Sequence, residues 1–407
     1  MSHFNQAVLV EVPGDVKPAL IEHALAALMN HHDALRSRFV RDGSLWRQDY
    51  LPVECVQVDF ARFDLADVGP EARIEQLQIA AARIQASLDP EAGRVAAAGW
   101  FDFGAAIPGR LLLVIHHLVV DGISWRILLE DLVTAYQQAL AGETIRLPAK
   151  TTSVTAWAAQ LAARARDLAA TDELAYWTAA CRDAPALPRD RAVDGSCGTH
   201  GDSETLTVAL SVPETQALLT AVPQAYRSRI NDALLAALSL AVADWRGARG
   251  EAGTSVLVDL EGHGREDLFP GVDLSRTVGW FTTMYPVRLD AGPLDGAEVA
   301  AGGPAAGAAL RRIKEQLRAV PHNGISWGLL RHLNPESAGQ LQALPRPEIG
   351  FNYLGRFDES GSSGWRSAAE SPGASVSPHR GRDHLLEVVS LVQGGELRTE
   401  WSWWPRA

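Results

Sequence analysis

The sequence predicts an α/β protein built from two similar halves. Apolar runs of strand length alternate with amphipathic helical segments in both halves of the chain. The first half contains the uninterrupted apolar run 111–115, and the second half contains a strand-like run at 256–260. A stretch rich in Pro, Asp and Gly lies between them. This stretch favours a division into an N-terminal lobe at 1–182, a linker at 183–203 and a C-terminal lobe at 204–407.

In the first half, a strand is expected at 7–12 and an amphipathic helix at 16–31, where apolar residues recur at helical spacing. The run 111–115 has the length and composition of a buried strand. A helix is expected to begin at Ser124, because Trp125, Leu128 and Leu132 then form an apolar stripe. Polar residues between this strand and this helix therefore lie at a strand end.

In the second half, the strand at 256–260 leads directly into Glu261. Apolar and polar residues alternate at 397–403, which indicates a strand with one buried face. The Ala/Gly-rich segment 291–309 and the Ser/Gly-rich segment 358–378 are expected to be mobile loops.

Composition narrows the class of protein. The chain has 407 residues, of which 47% are apolar, and a formal charge of −12. This charge argues against a nucleic-acid partner, which needs a basic face. The three cysteines include no Cys-x-x-Cys pair, and no apolar run approaches the roughly 18 residues that favour a membrane span. We therefore expect a soluble, cytoplasmic protein with no membrane partner.

The strongest chemical pattern is His116-His117, followed after three apolar residues by Asp121-Gly122. Adjacent side chains leave an extended backbone in opposite directions, so the two histidines are poorly placed to bind one metal ion. We expect one imidazole in the core and the other in a cavity, where it would act in general acid–base chemistry. A pair of hydrogen-bonded core histidines is the alternative interpretation.

Glu261 is the second candidate proton-transfer group. Gly262 and Gly264 follow it, so the backbone there could pass close to a ligand. An ordinary strand-end carboxylate paired with Arg265 is the alternative. A histidine and a glutamate at strand ends in different halves would suit a stereoinversion, in which one group removes a proton and the other returns one to the opposite face.

Four segments together carry a family resemblance. The segment 116–132, HHLVVDGISWRILLEDL, resembles the HHxxxDG core of the condensation superfamily of nonribosomal peptide synthetases. The segments EGHGRE at 261–266, RTVGWFT at 276–282 and FNYLG at 351–355 are similar to the epimerization branch. HHxxxDG alone is shared with condensation and cyclization domains, so the combination supports the branch.

The resemblance implies a fold and two catalytic residues. The fold would be two chloramphenicol-acetyltransferase-like lobes in a V-shaped arrangement with a tunnel between them. His117 would be the catalytic histidine, with His116 beside it, and Glu261 the opposing acid or base across the tunnel.

The resemblance also implies supporting roles. Asp121 would fix the motif loop through an arginine, for which Arg265 is a candidate, and Gly122 would let the backbone run close to a pantetheine channel. Asn352 and Tyr353 would lie in the cavity and hold the thioester or its enolate. A strand with one packed tyrosine is the alternative for this last pair.

The implied activity is epimerization of the α-carbon of an aminoacyl or peptidyl thioester. The substrate would arrive on the phosphopantetheine of a peptidyl carrier domain, with other synthetase modules as further partners. No metal or cofactor of the protein's own is implied. Two alternatives use the same fold: a condensation domain, which has no need of Glu261, and a catalytically inactive docking module.

Overall fold

The computed structural model describes residues 3–43, 45–167, 172–191, 197–293, 296–357 and 365–405. The strands are β1 (Asn5–Val12), β2 (Ser37–Asp42), β3 (Leu45–Tyr50), β4 (Phe60–Asp64), β5 (Ala96–Asp102), β6 (Gly109–His116), β7 (Glu204–Ala209), β8 (Ser255–Gly262), β9 (Thr283–Asp290), β10 (Ile349–Phe357), β11 (Arg366–Ser367), β12 (Leu386–Gln393) and β13 (Glu396–Trp403). The helices are α1 (Pro18–His31), α2 (Pro70–Ala86), α3 (Gly122–Leu140), α4 (Val154–Asp167), α5 (Asp172–Cys181), α6 (Val212–Leu219), α7 (Ala221–Tyr226), α8 (Ile230–Ala248), α9 (Gly296–Ala300), α10 (Pro304–Arg318), α11 (Ile325–Gly328) and α12 (Pro335–Gln342). Within these ranges, no helix combines the length and apolar character that crossing a membrane requires.

The predicted α/β class is confirmed, and the chain forms two compact units. Unit 1 comprises Met1–Ala158, Phe269–Phe281 and Glu359–Ser377, and unit 2 comprises the three remaining segments, Ala159–Leu268, Thr282–Asp358 and Pro378–Ala407. These units differ from the contiguous division into 1–182 and 204–407, and part of the expected linker, 192–196, lies outside the described residues. Two segments from late in the chain belong to unit 1 because of their hydrogen bonds. Segment 269–281 bonds to the loop before α3, and segment 359–377 contains β11, which pairs with β1.

The sheet of unit 1 has the order β11-β1-β6-β5-β4. Its central strand, β6, is buried along its whole length because both faces of the sheet are covered. Leu111, Leu113 and Ile115 pack in one hydrophobic cluster with α1 and α3, whereas Leu112 and Val114 pack in another with α2. The apolar run read from the sequence is therefore a strand inside a three-layer unit.

The sheet of unit 2 has the order β7-β13-β12-β10-β8-β9. On β8, Val256, Val258 and Leu260 are buried and pack with residues of α8 and α10. The residues between them alternate to the other face of the sheet. Asp259 and Glu261 lie on that second face, beside the neighbouring strand β10.

Two loop expectations are wrong where the structure describes them. The segment 291–309 contains α9 and the start of α10, because Pro304 suits the first turn of a helix and alanine has the highest helix propensity. Within 358–378, Arg366–Ser367 forms the edge strand β11 on β1. Residues 358–364 lie outside the described part of the chain.

A buried carboxylate holds three parts of unit 1 together. Asp131 of α3 is fully buried, and its Oδ2 lies 3.0 Å from His32 Nε2 at the end of α1. Its Oδ1 accepts a hydrogen bond of 2.5 Å from Arg276. His31, His32 and Asp131 present ligand-type atoms within 4.8 Å of one another. Because both carboxylate oxygens already bond to protein groups, the arrangement is explained as a structural ion pair.

We predict that Asp131→Ala lowers the free energy of unfolding by about 1–3 kcal/mol, since it leaves the buried His32 without its carboxylate partner and removes one of the two carboxylates bonded to Arg276. Glu130→Ala is the matched control, because Glu130 pairs with the same Arg276 but is 63% exposed. Its loss should cost at most about 1 kcal/mol. Denaturant unfolding monitored by tryptophan fluorescence would measure both, and equal effects would contradict the assignment.

Candidate active site

His116 ends β6 and belongs to the core. It continues the alternation of Leu112 and Val114 and is 1% exposed. Its Nδ1 accepts a hydrogen bond of 3.3 Å from the amide of Leu118, two residues later. The first histidine therefore shapes the turn that follows the strand.

His117 begins a single 3₁₀ turn, His117–Val119, and is half-buried. Its Nε2 lies 2.9 Å from the side-chain nitrogen of Gln6 on β1. The ring of Phe4 stacks on the imidazole with centroids 4.7 Å apart, and the ring of Trp280 lies 4.5 Å away in a tilted arrangement. These contacts fix the plane of the ring while leaving part of it accessible.

Asp121 fixes the loop between β6 and α3. Its Oδ1 accepts a hydrogen bond of 2.7 Å from the amide of Ser124, which caps the helix, and its Oδ2 accepts one of 3.1 Å from the amide of Phe281. Because of this cap, α3 begins at Gly122, two residues before the predicted start. A Cβ added at Gly122 would meet open space, so the position is exposed and uncrowded.

The RTVGWFT segment, residues 276–282, is hydrogen-bonded to this loop and to the first turn of α3. Ser124 Oγ donates to the carbonyl of Gly279 at 3.0 Å, and the amide of Gly279 donates back to Ser124 Oγ at 3.1 Å. Arg276 anchors the start of the segment on Asp131. Trp280 lies between Gly279 and Phe281 in the chain, and both of these neighbours are hydrogen-bonded near the motif loop. These bonds place Trp280 against His117.

Glu261 is the second-last residue of β8 and is accessible to solvent. Its Oε2 accepts a hydrogen bond of 2.5 Å from Asn352 Nδ2 on the adjacent parallel strand β10. Burial raises the pKa of Glu261, and the negative charge of Glu387 adds to this, whereas the charge of His384 opposes it. Glu261 therefore combines access to solvent with a carboxyl that holds its proton more readily than an ordinary glutamate.

A histidine and a carboxylate form a hydrogen-bonded pair on the same face of unit 2. His384 Nε2 is 2.9 Å from Asp259 Oδ2, two residues before Glu261. Burial lowers the pKa of His384, but the hydrogen bond and charge of Asp259 outweigh this and raise the pKa overall. Gly350 permits the approach, because a Cβ there would lie 2.7 Å from His384 Nδ1.

Arg265 lies in the turn after β8, and Tyr353 lies against the hydrophobic core of unit 2. Gly264 has a φ of +66°, which glycine adopts readily, and the turn it makes lets the Arg265 amide donate to His263 Nδ1 at 3.0 Å. The pairing of Arg265 with Asp121 stays a prediction. Tyr353 alternates to the face opposite Asn352 and packs against the hydrophobic core of unit 2.

Four side chains were not predicted to belong to these sites: Gln6, Trp280, His384 and Trp125, whose Nε1 donates a hydrogen bond of 2.8 Å to Gln6 Oε1. The antiparallel register of β1 on β6 pairs Gln6 with Ile115, which places Gln6 beside the histidine motif. A correct pairing of β1 with the motif strand would have found Gln6. No sequence spacing links Trp280 or His384 to the groups they contact.

Comparison with known proteins agrees with this arrangement. Residues 1–403 match the Condensation domain family, and the chain belongs to that family. It is 42% identical to a linear gramicidin synthase polypeptide of Brevibacillus parabrevis and 42% identical to chondramide synthase cmdD of Chondromyces crocatus, with 98% of the chain covered in each case. It spans only 5% and 10% of the length of these two relatives.

Solved structures agree in fold. The epimerization domain from the third module of tyrocidine synthetase B is similar with a TM-score of 0.84 and 36% identity, covering 99% of this chain and 87% of that one. The first condensation domain of the calcium-dependent antibiotic synthetase, at 19% identity, has a TM-score of 0.69 and covers 100% of this chain and 86% of that one. The second likeness shows the fold alone.

The raised pKa of Glu261 predicts a pH-dependent effect of Glu261→Gln on stability. A carboxyl whose pKa is higher in the folded state loses stabilising free energy as pH rises through that pKa. The variant lacks this titration. Its melting temperature should therefore gain on that of the wild type between about pH 4 and pH 8.

Thermal unfolding followed by circular dichroism at both pH values measures this difference. Glu400→Gln, on the exposed side of β13, is the control and should stay within about 0.5 kcal/mol of the wild type at both. If the melting temperature of Glu261→Gln falls relative to that of the wild type as pH rises, the raised pKa of Glu261 is wrong.

Proposed function

We propose that the chain is an epimerization domain, which inverts the α-carbon of an aminoacyl or peptidyl thioester attached to a carrier domain. The observation that carries the proposal is Glu261, a solvent-accessible carboxyl with a raised pKa, held by Asn352. Such a carboxyl can exchange a proton near neutral pH more readily than an ordinary glutamate. The likeness to an epimerization domain at 36% identity supports the same assignment.

The proposed reaction is a pair of proton transfers. A thioester carbonyl acidifies the α-hydrogen, so one group removes that proton and the C–H electron pair moves into an enolate. The second group then donates a proton to the opposite face of the α-carbon, which restores the thioester with inverted configuration. His117 and Glu261 are the proposed pair, and they exchange roles in the reverse direction. One proton is removed and one is donated, so no net proton is consumed, and proton exchange with solvent restores the starting protonation states of the two groups.

Asn352 would keep the Glu261 carboxyl oriented through its 2.5 Å hydrogen bond. Asp121 would act on catalysis only through position, because it fixes the turn from which His117 projects. Neither residue needs to exchange a proton in this scheme.

The proposed partner is a carrier domain whose phosphopantetheine arm delivers the thioester. The chain covers only a small share of the length of the linear gramicidin and chondramide synthases to which it is similar. This supports a role for the chain as one domain beside other synthetase modules. The proposed residues need no metal or cofactor of the domain's own, and we propose that the reaction takes place in the cytoplasm.

Two activities compete with this proposal. A condensation domain would share the HHxxxDG motif but would form a peptide bond between two carrier-bound substrates, with no role for Glu261. A docking module of the same fold would need neither group. Glu261 is therefore the residue that separates the three.

We predict that Glu261→Gln lowers the rate of inversion by about 10²–10⁴-fold, the usual contribution of a positioned acid–base group. The substitution keeps the size and hydrogen-bonding capacity of the side chain but removes its ionisation. The assay uses a carrier domain loaded with an L-aminoacyl group in D₂O, followed by chiral analysis and mass measurement of the released amino acid. Deuterium incorporation should survive in part, because His117 still exchanges its own face.

Glu266→Gln is the matched control. Glu266 accepts a hydrogen bond of 2.7 Å from Asn323, so the same substitution removes the charge from the same kind of contact five residues away. It should leave the rate unchanged. His117→Ala should stop exchange from the histidine's face, with L- and D-loaded carriers affected differently. Inversion at the wild-type rate in Glu261→Gln would overturn the two-group mechanism.

A further inference from the structure

Gln6 makes two hydrogen bonds that together fix the orientation of its amide. Its Oε1 accepts a hydrogen bond of 2.8 Å from Trp125 Nε1, and its Nε2 lies 2.9 Å from His117 Nε2. An indole nitrogen can only donate, so the atom facing Trp125 must be the amide oxygen. The NH₂ group of Gln6 therefore faces the histidine.

This orientation determines the protonation of the imidazole. An amide NH₂ group can only donate, so His117 Nε2 must be the acceptor and carries no proton. In the neutral ring the proton then resides on Nδ1, which is the buried ring nitrogen. An imidazolium has a proton on both nitrogens and cannot accept this hydrogen bond.

We propose that Gln6, anchored by Trp125, is a positioning residue that sets His117 in the Nδ1-protonated tautomer with Nε2 as the proton acceptor. This inference rests on the proposed function, in which His117 exchanges the α-proton. The aromatic contacts of Phe4 and Trp280 hold the ring plane, and Gln6 selects which nitrogen carries the lone pair.

The arrangement has a consequence for both half-reactions. In the free protein the lone pair of Nε2 accepts from Gln6, so the substrate α-hydrogen must displace that NH₂ group before Nε2 can act as a base. After abstraction, the new N–H faces the NH₂ group of Gln6, which Trp125 prevents from turning round. Two opposed donors destabilise the protonated ring, which favours donation by His117 to an enolate that Glu261 has formed from the other face.

The direct test is the tautomer of His117, read by nitrogen NMR of protein labelled with ¹⁵N in the histidine rings. The His117 signals are assigned as those absent in His117→Ala. In the wild type near neutral pH, Nδ1 should show the shift of a protonated nitrogen and Nε2 that of an unprotonated one. A protonated Nε2 in the neutral wild-type ring would overturn the proposal.

Gln6→Glu is the informative variant. One carboxylate oxygen can still accept from Trp125, while the other now requires a proton on His117 Nε2, so the tautomer should reverse or the ring should stay charged. The inversion rate at neutral pH should fall by about 10²-fold or more, within the range of a positioned acid–base group. Its pH profile should move to higher pH. An unchanged nitrogen spectrum in this variant would contradict the role of Gln6.

Two further variants separate positioning from folding. Gln6→Met keeps the length of the side chain but makes neither hydrogen bond, so His117 should populate both tautomers and the rate should fall less than in Gln6→Glu. Gln48→Glu makes the same charge change on an exposed residue of β3 and should alter neither the spectrum nor the rate. Circular dichroism checks that each variant is folded.

The outcomes distinguish this inference from the proposed function. If His117→Ala inverts substrate at the wild-type rate, the proposed function fails whatever the nitrogen spectra show. If His117→Ala is inactive but Gln6→Glu keeps the wild-type tautomer and rate, the proposed function stands and the role of Gln6 is wrong.

Discussion

The hydrogen bonds from Asp121 to Ser124 and Phe281 are the constraint on which the histidine site depends. This buried carboxylate uses one oxygen to bond the first turn of α3 and the other to bond the amide of Phe281. The motif turn and a segment from far along the chain are therefore fixed to the same side chain. His117 and Trp280 each lie close in sequence to one of these anchors, so their contact follows from where the anchors are.

The two proposed proton-transfer groups are prepared by different physical means. His117 sits among aromatic rings and a neutral amide, which set its plane and the identity of its accepting nitrogen. Glu261 sits on a sheet face where burial and neighbouring charges set its pKa. Proton return from the histidine would depend on hydrogen-bond direction, whereas exchange at the glutamate would depend on the cost of desolvating its charge.

Much of the fold could be predicted because its signals are local. The strand at 111–115, the strand leading into Glu261 and the helix after the histidine motif are all present, since apolar periodicity follows directly from which faces are buried. The prediction for segment 291–309 was wrong because its alanines and glycines give a weak apolar pattern, although Pro304 marks a helix start. The sequence also could not predict which segments make up each compact unit, because segments 269–281 and 359–377 join unit 1 through contacts with residues far away in the chain.

By itself, the sequence determined that His116 and His117 lie where a buried strand ends, that Asp121 precedes a helix and that Glu261 lies near the end of a second strand. These are relations between neighbours in the chain, and backbone periodicity fixes them. Only the tertiary structure decided that Gln6 and Trp280 contact His117, that Asn352 holds Glu261 and that Tyr353 packs against the core. Such contacts depend on strand register and on which face each residue occupies, and both arise from packing between segments far apart in the sequence.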